Sequence, residues 1–140
     1  MRDLINILFS CAGAIVGFLF GGLDGLVIAL VVFVIVDYVT GVLDAIINKK
    51  LSSAVGFVGI IRKILILLIV SVGHFVDAYL LGSGSVIRDA CIFFYISNEG
   101  ISILENVVEM GVPVPEKLVR ILEQLEDKDN GDDETDEDIY

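Results

Sequence analysis

The sequence predicts an all-α integral membrane protein, and three observations carry that expectation. Long apolar blocks run from Leu4 to Phe20, Leu26 to Ile47 and Ile64 to Leu81, and a half-polar fourth runs from Val86 to Met110. A bilayer core of about 30 Å takes about 20 mostly apolar residues as helix, so the first three blocks approach or exceed the length required. With 56% hydrophobic residues in a chain of 140 and a mean hydropathy of +0.86, the composition lies far outside that of water-soluble domains. Four transmembrane helices are the first expectation, and three spans plus an interfacial amphipathic helix are the alternative. The expected helical membrane domain is 1–110, with spans at about 4–22, 26–47, 62–81 and 86–108.

The first block has no charge between Asp3 and Asp24, and Gly13, Gly17, Gly21 and Gly25 recur every four residues. Helices in lipid associate by close backbone approach, so this repeat points to packing within the chain or between copies. A cleaved leader at 1–25 fits less well, because the apolar stretch is long and leads directly into a second span. In the second block Asp37, Gly41, Asp44 and Asn48 share a helical face, and in the third Lys63, Ser71, His74 and Asp77 form a comparable stripe. Acids inside lipid are expensive, so these faces should meet protein or water, and His74 and Asp77 are spaced to interact. Pairing across helices that holds a bundle in register, a water-lined passage and a proton relay all fit.

The fourth block carries a polar stripe. Arg88, Tyr95, Ser102 and Glu109 recur every seven residues, with Asn98, Glu99, Glu105 and Asn106 beside them. Opposite lie Ile87, Cys91, Phe94, Ile101, Leu104 and Val108. The stripe would face a bundle or lumen if the helix spans, and water if the helix lies in the interface. Beyond it, Gly111-Val112-Pro113-Val114-Pro115 stops the helix, and 111–126 reads as a Pro-initiated segment with a short amphipathic helix carrying Leu118, Ile121, Leu122 and Leu125. From Glu126 to Tyr140 nine acids face one base, Lys128, supplying -8 of the net charge of -11. Such a run cannot bury enough apolar surface to order itself, so 127–140 is expected to be a disordered acidic tail.

Positive charge fixes orientation, because cytoplasmic loops retain Lys and Arg. Lys49, Lys50, Arg62 and Lys63 are the topology-setting residues. With their connection inside and four spans, Arg2, Lys117, Arg120 and Lys128 also lie inside, leaving Arg88 alone outside. Both termini are then cytoplasmic, with Arg62 and Lys63 snorkelling toward the interface. Cys11 and Cys91 sit in apolar blocks and read as small hydrophobes. No nucleotide loop, nucleophile elbow or metal-ligand spacing is found, so no catalytic residue, metal or cofactor is expected, and the acidic tail is wrong for nucleic acid.

Several motifs together carry a resemblance. Asp37-Tyr38-Val39-Thr40-Gly41, Ser52-Ser53, Gly56 to Lys63, Asn98 to Asn106 and Gly111 to Pro115 occur in the order in which the phage-lysis and toxin-secretion holins carry similar segments. The region that resembles this bacteriophage holin family runs from about Asp37 to Arg120. The resemblance implies a protein of the bacterial cytoplasmic membrane that forms homo-oligomeric lesions in the lipid bilayer, releasing an endolysin or folded toxin as a functional partner without requiring direct contact. The glycine-striped first block lies outside the matched region, and the acidic tail departs from the basic or mixed tails of many members. The candidate pore-lining or bundle-polar residues are Asp37, Asp44, His74, Asp77, Asn98, Glu99, Ser102, Glu105 and Glu109. A small ion channel or solute transporter, and a non-conducting accessory subunit, are the alternatives from other classes.

Overall fold

The structure, a computed structural model, describes residues 1–121 and 124. Among these, every element is helical: α1 (Arg2–Phe20), α2 (Gly25–Ile47), α3 (Ser53–Phe75), continued by a π-helical turn (Val76–Leu81), and α4 (Val86–Glu109). A further short stretch, 116–121, is helical after the prolines. The expected 127–140 tail and the end of the 111–126 segment lie outside the described residues. Three helices are long and apolar enough to cross a membrane, namely Arg2–Phe20, Gly25–Ile47 and the continuous Ser53–Leu81. The chain is thus an all-helical membrane protein. Its fourth helix is long enough, but its charges keep it out of that group.

The helix boundaries follow local chemistry. Gly21 ends α1 in the left-handed conformation at φ 72°, with its N–H donating to the Gly17 carbonyl; a glycine adopts this without the steric cost of a Cβ. Asp24 caps α2, its Oδ1 accepting from the Val27 N–H at 3.0 Å. Ser52 does the same for α3, accepting from Val55 at 3.2 Å. Capping by Ser52 explains why α3 begins at Ser53, well ahead of the span start expected at 62. Arg62 and Lys63 therefore lie within the helix and not at the end of a connection. The glycine repeat is also broken up: Gly13 and Gly17 lie on α1, Gly21 is its cap, and Gly25 opens α2.

The packed core belongs to α2, α3 and α4. Val27, Leu30 and Val34 of α2 meet Ile66 and Val70 of α3 and Ile92 of α4, with Leu30, Val70 and Ile92 wholly buried. The helices α2 and α4 make the most extensive pairing, and α3 closes against α4. Backbones approach closely where Gly73 faces Arg88: a Cβ on Gly73 would come within 3.1 Å of the Arg88 Cα and 3.3 Å of the Cys91 Sγ. Cys91 thus belongs to the α3–α4 contact, and no disulfide joins it to Cys11.

In contrast, α1 buries none of its residues. It touches the rest through its C-terminal end, where Phe18 meets Phe75 edge-on at a centroid distance of 5.3 Å and Gly21 packs under the His74 ring. Nothing lies within 4 Å of a Cβ built on Gly13 or Gly17.

A side chain at Gly73 must therefore displace α4, whereas one at Gly13 meets open space. Gly73→Leu is expected to lower unfolding stability in detergent micelles by about 1–3 kcal/mol, an overpacking cost. Gly13→Leu should leave the unfolding midpoint of the monomer unchanged in the same measurement.

Candidate functional site

Three chain segments bring one basic and two acidic side chains together inside the helix packing. Lys63 of α3 donates from its Nζ to Asp37 Oδ2 of α2 and to Glu99 Oε2 of α4. The carboxylate of Asp37 is 10% exposed, that of Glu99 8% and the Lys63 side chain 17%, so all three groups are largely withdrawn from surrounding solvent. Asn106, two turns beyond Glu99, donates from Nδ2 to Asp37 Oδ1 at 3.3 Å and to Thr40 Oγ1 at 3.1 Å. Both Asp37 oxygens are thereby engaged, one by α3 and one by α4.

The spacing explains why these residues meet. Asp37 is ten residues before the end of α2, Lys63 ten after the start of α3, and Glu99 ten before the end of α4. At 1.5 Å per residue each lies about 15 Å from that end, roughly half the thickness of a bilayer's hydrocarbon core. Because α2 and α3 are joined there and α4 runs antiparallel to α3, the three positions share one level. A Lys near a helix end would extend to the interface; one this far in finds carboxylates closer than headgroups. Lys63 was expected to snorkel, and the structure turns it inward for that reason.

Two cavities meet this cluster. One of about 500 Å³ extends from Leu51, Ala54 and Val55 at the α2–α3 connection to Asp37, Lys63 and Asn106. A second, about 400 Å³, touches Asp37, Lys63 and Glu99 together with Tyr95 and Ser102. Arg62 lines both cavities, is exposed, and forms no ion pair among the described residues.

A second polar cluster stands at the opposite end of the same helices. Arg88 is 4% exposed; it donates from Nη2 to Asp24 Oδ2 and from Nη1 to Asp89 Oδ1, each at 2.8 Å. Asp77, on the π-helical turn, accepts from the Arg88 N–H at 2.8 Å and the Ile87 N–H at 3.1 Å. It thereby satisfies orphan donors at the start of α4, where a negative charge is favoured. Donation from the Val27 N–H, with the Arg88 guanidinium adding to it, holds the Asp24 carboxyl below the usual carboxylate range.

The sequence-derived candidates thus separate into groups. Asp37 and Glu99 meet through Lys63, with Ser102 beside them. His74 and Asp77 do not pair: Asp77 turns to α4, and the His74 ring covers Gly21 and contacts Phe75. Asp44 stays apart from the cluster and accepts from Asn48 at 2.7 Å. Glu105 and Glu109 are exposed, Asn98 is half-buried, and Lys49 and Lys50 are exposed at the α2–α3 connection. The stripe of α4 is therefore not one surface, because Arg88 and Glu99 are folded into the helix packing. Sequence reasoning missed the Lys63 bridge and the role of Asn106; with the third span expected from 62, Lys63 stood at a helix end, and Ser52 as an N-cap was the signal that would have set it ten residues in.

Comparison with known proteins gives a consistent family. The model of the bacteriophage holin family matches residues 14–127. The uncharacterised protein Lmo0128 of Listeria monocytogenes is 48% identical over 122 residues, covering 87% of this chain and 86% of its own length. Protein Lin0175 of Listeria innocua, also uncharacterised, is 47% identical over 134 residues, or 96% of this chain and 94% of that one. An uncharacterised 14.9 kDa protein from the nagH 3′ region of Clostridium perfringens is 40% identical over 131 residues, covering 91% and 99%. No solved structure gives a significant match.

Two predictions follow from the clusters. Lys63→Met leaves two buried carboxylates without their cation and is expected to cost about 3–5 kcal/mol in micelle unfolding, the usual cost of breaking a buried ion pair. Combining it with Asp37→Asn and Glu99→Gln should recover most of that loss. For Asp24, a depressed folded-state pKa means stability that is present above the unfolded value and lost as pH falls through the folded one. The unfolding midpoint of wild type should exceed that of Asp24→Asn at neutral pH, and the two should converge on acidification.

Proposed function

The chain belongs to the bacteriophage holin family, and from that premise we propose that it permeabilises the bacterial cytoplasmic membrane by assembling with its own copies. The lesion would let an endolysin or a folded toxin out without requiring direct contact with it. The observation that carries this is α1: a 19-residue apolar helix that buries no residue of its own and leaves Gly13 and Gly17 open. In lipid, helices associate through such bare backbone, so the unfilled stripe favours contact between chains over packing within one.

We place α4 as a fourth span. Its two most costly charges for lipid, Arg88 and Glu99, are turned inward and paired, and it packs lengthwise on α2. A helix lying in the interface would instead leave its polar stripe in water. With four spans, Lys49, Lys50 and both termini fall on the cytoplasmic side by the positive-inside bias. The segments 111–126 and 127–140 then form a cytoplasmic extension. Glu105, Glu109, Asn98 and Asp44, outside the two buried clusters, are the polar side chains available to line a lumen between copies, whereas Asp37 and Glu99 hold each protomer together. Ser102, beside the inner cluster, belongs with the latter. None of these roles requires a metal, a cofactor or catalytic chemistry.

Expression in a bacterial host together with a signal-less cell-wall hydrolase tests the proposal, with culture turbidity and release of a cytoplasmic enzyme as readouts. Abrupt lysis that needs both proteins is expected, and Gly13→Leu with Gly17→Leu should delay it and reduce cross-linked oligomers several-fold. Loss of membrane potential without enzyme release would replace the lesion by a small channel. An intact potential would leave an accessory subunit.

A further inference from the structure

We propose that copies of this chain exchange α1, so that Phe18 and Gly21 of one copy seat against Phe75 and His74 of its neighbour. The exchange rests on the reading that copies associate, and it names the surface on which they do so. Only the C-terminal end of α1 is held by its own chain: residues 2–15 are exposed throughout, and half-burial begins at Val16. About 21 Å of apolar helix therefore stands clear of the protein. The held end sits in a small socket on α3. Phe18 meets Phe75 edge-on at 5.3 Å, Phe75 stacks on Tyr79 at 5.7 Å, and the His74 ring covers Gly21. Phe20 adds a contact with the buried apolar cluster.

The link from α1 to α2 supplies the pivot. Gly22 holds φ at 129°, and nothing lies within 4 Å of a Cβ built on it. Glycine enters that region without steric cost, so the chain can change direction there while Gly21 keeps its cap on α1. Asp24 is fixed by its bond from the Val27 N–H and its pair with Arg88, so the movement is confined to Gly22 and Leu23. Two extended residues span about 7 Å, and packed helix axes lie about 8–10 Å apart. The link can therefore hand α1 to a directly adjacent copy and no further. Short links of this kind favour exchange of an element between identical chains.

Exchange costs little in contacts, because the neighbour offers the same socket. As alternate spans, α1 and α3 run in one direction across the membrane, so rotation about the membrane normal brings α1 of one copy to α3 of the next without reversing it. Each copy gives one α1 and receives one, and no socket is left unfilled. The choice between the tethered and the neighbouring socket is then set by local concentration. Exchange is scarce while copies are few and rises as they accumulate. The packing of α2, α3 and α4 survives it, since neither charge cluster includes a residue of α1.

Cross-linking of full-length chains in bacterial membranes tests the exchange. Cys11→Ala and Cys91→Ala remove the native thiols, a tagged chain carries Phe18→Cys, an untagged chain carries Phe75→Cys, and the two are co-expressed and treated with a short thiol-specific cross-linker. A dimer of tagged with untagged chain is expected, its yield rising with expression level. It should exceed several-fold the yield from Phe18→Cys with Ile28→Cys, an exposed α2 position of similar depth. A link that forms within chains carrying both Phe18→Cys and Phe75→Cys, and never between chains, would overturn the exchange, as would an equal yield from Ile28→Cys. Because these substitutions remove rings of the socket, a photoreactive phenylalanine analogue placed at Tyr79 repeats the measurement with Phe18 and Phe75 intact. Capture of α1 from a second copy supports exchange, and capture confined to the same chain overturns it. Self-association is read separately from dimers linked through Gly13→Cys. Those dimers and lysis, persisting without a link from Phe18 to Phe75, would remove the exchange and keep the lesion; the link without lysis would do the reverse.

Discussion

Everything in the packed part of this protein depends on where the ammonium group of Lys63 can go. A lysine ten residues inside an apolar helix cannot reach water along its own stem without distorting the bilayer, so a carboxylate must be brought to it. Here two arrive, from helices on either side, and each fixes its helix at one level relative to α3. Buried ion pairs are weak evidence of net stability, because desolvation consumes much of the attraction. Their effect on register is stronger. Sliding α4 by one turn along α3 would carry Glu99 from Lys63 to the level of the buried Ile66, so the cluster specifies a single alignment of three otherwise interchangeable apolar surfaces.

The second cluster sets the other end. Asp24 performs two tasks with its two oxygens, capping α2 and holding Arg88, while Asp77 provides the N-terminal cap that Ser85 does not give to α4. The helices are pinned by charge near mid-depth and at one end, and closed between by Leu30, Val70 and Ile92. The first helix has none of these ties. It is joined through Phe18 and the Gly21 cap, and beyond Arg2 and Asp3 its exposed surface is apolar apart from Asn6 and Ser10. The molecule thus divides into a charge-registered three-helix unit and a loosely joined apolar helix, the part that the proposed assembly would use.

Much of this was legible in the sequence. Apolar block lengths located the helices to within a few residues, because a bilayer imposes a length and composition that local propensity cannot override. The third helix starts nine residues ahead of the expected 62 because Arg62 and Lys63 read as the end of a charged connection, whereas the apolar stretch Ser53 to Ile61 before them is already helix, capped by Ser52. The family was legible as well, in short motifs that include Asp37, Lys63, Glu99 and Asn106. What they do together was not, since stripes drawn on separate helices assign faces without saying which faces meet. His74 and Asp77 shared a stripe yet separated, because the π-helical turn aims Asp77 at the first N–H groups of α4. Arg88 and Glu99 looked like lumen residues for the same reason: periodicity shows that a face is polar, and not whether water or a neighbouring helix satisfies it.

The most direct test of the central claim is the position of the Lys63 nitrogen in a bilayer. Solid-state NMR dipolar recoupling on the full chain, with ¹⁵N at the lysine Nζ and ¹³C at Asp and Glu carboxyls, reads its neighbours, and Lys63→Arg assigns the signal. The account predicts strong dephasing of the Lys63 signal by carboxyl ¹³C, reduced by Asp37→Asn with Glu99→Gln, and none by lipid ³¹P. Dephasing by phosphorus without a carboxyl contact would show a lysine drawn to the headgroups and would contradict the buried bridge on which the register of α2, α3 and α4 depends.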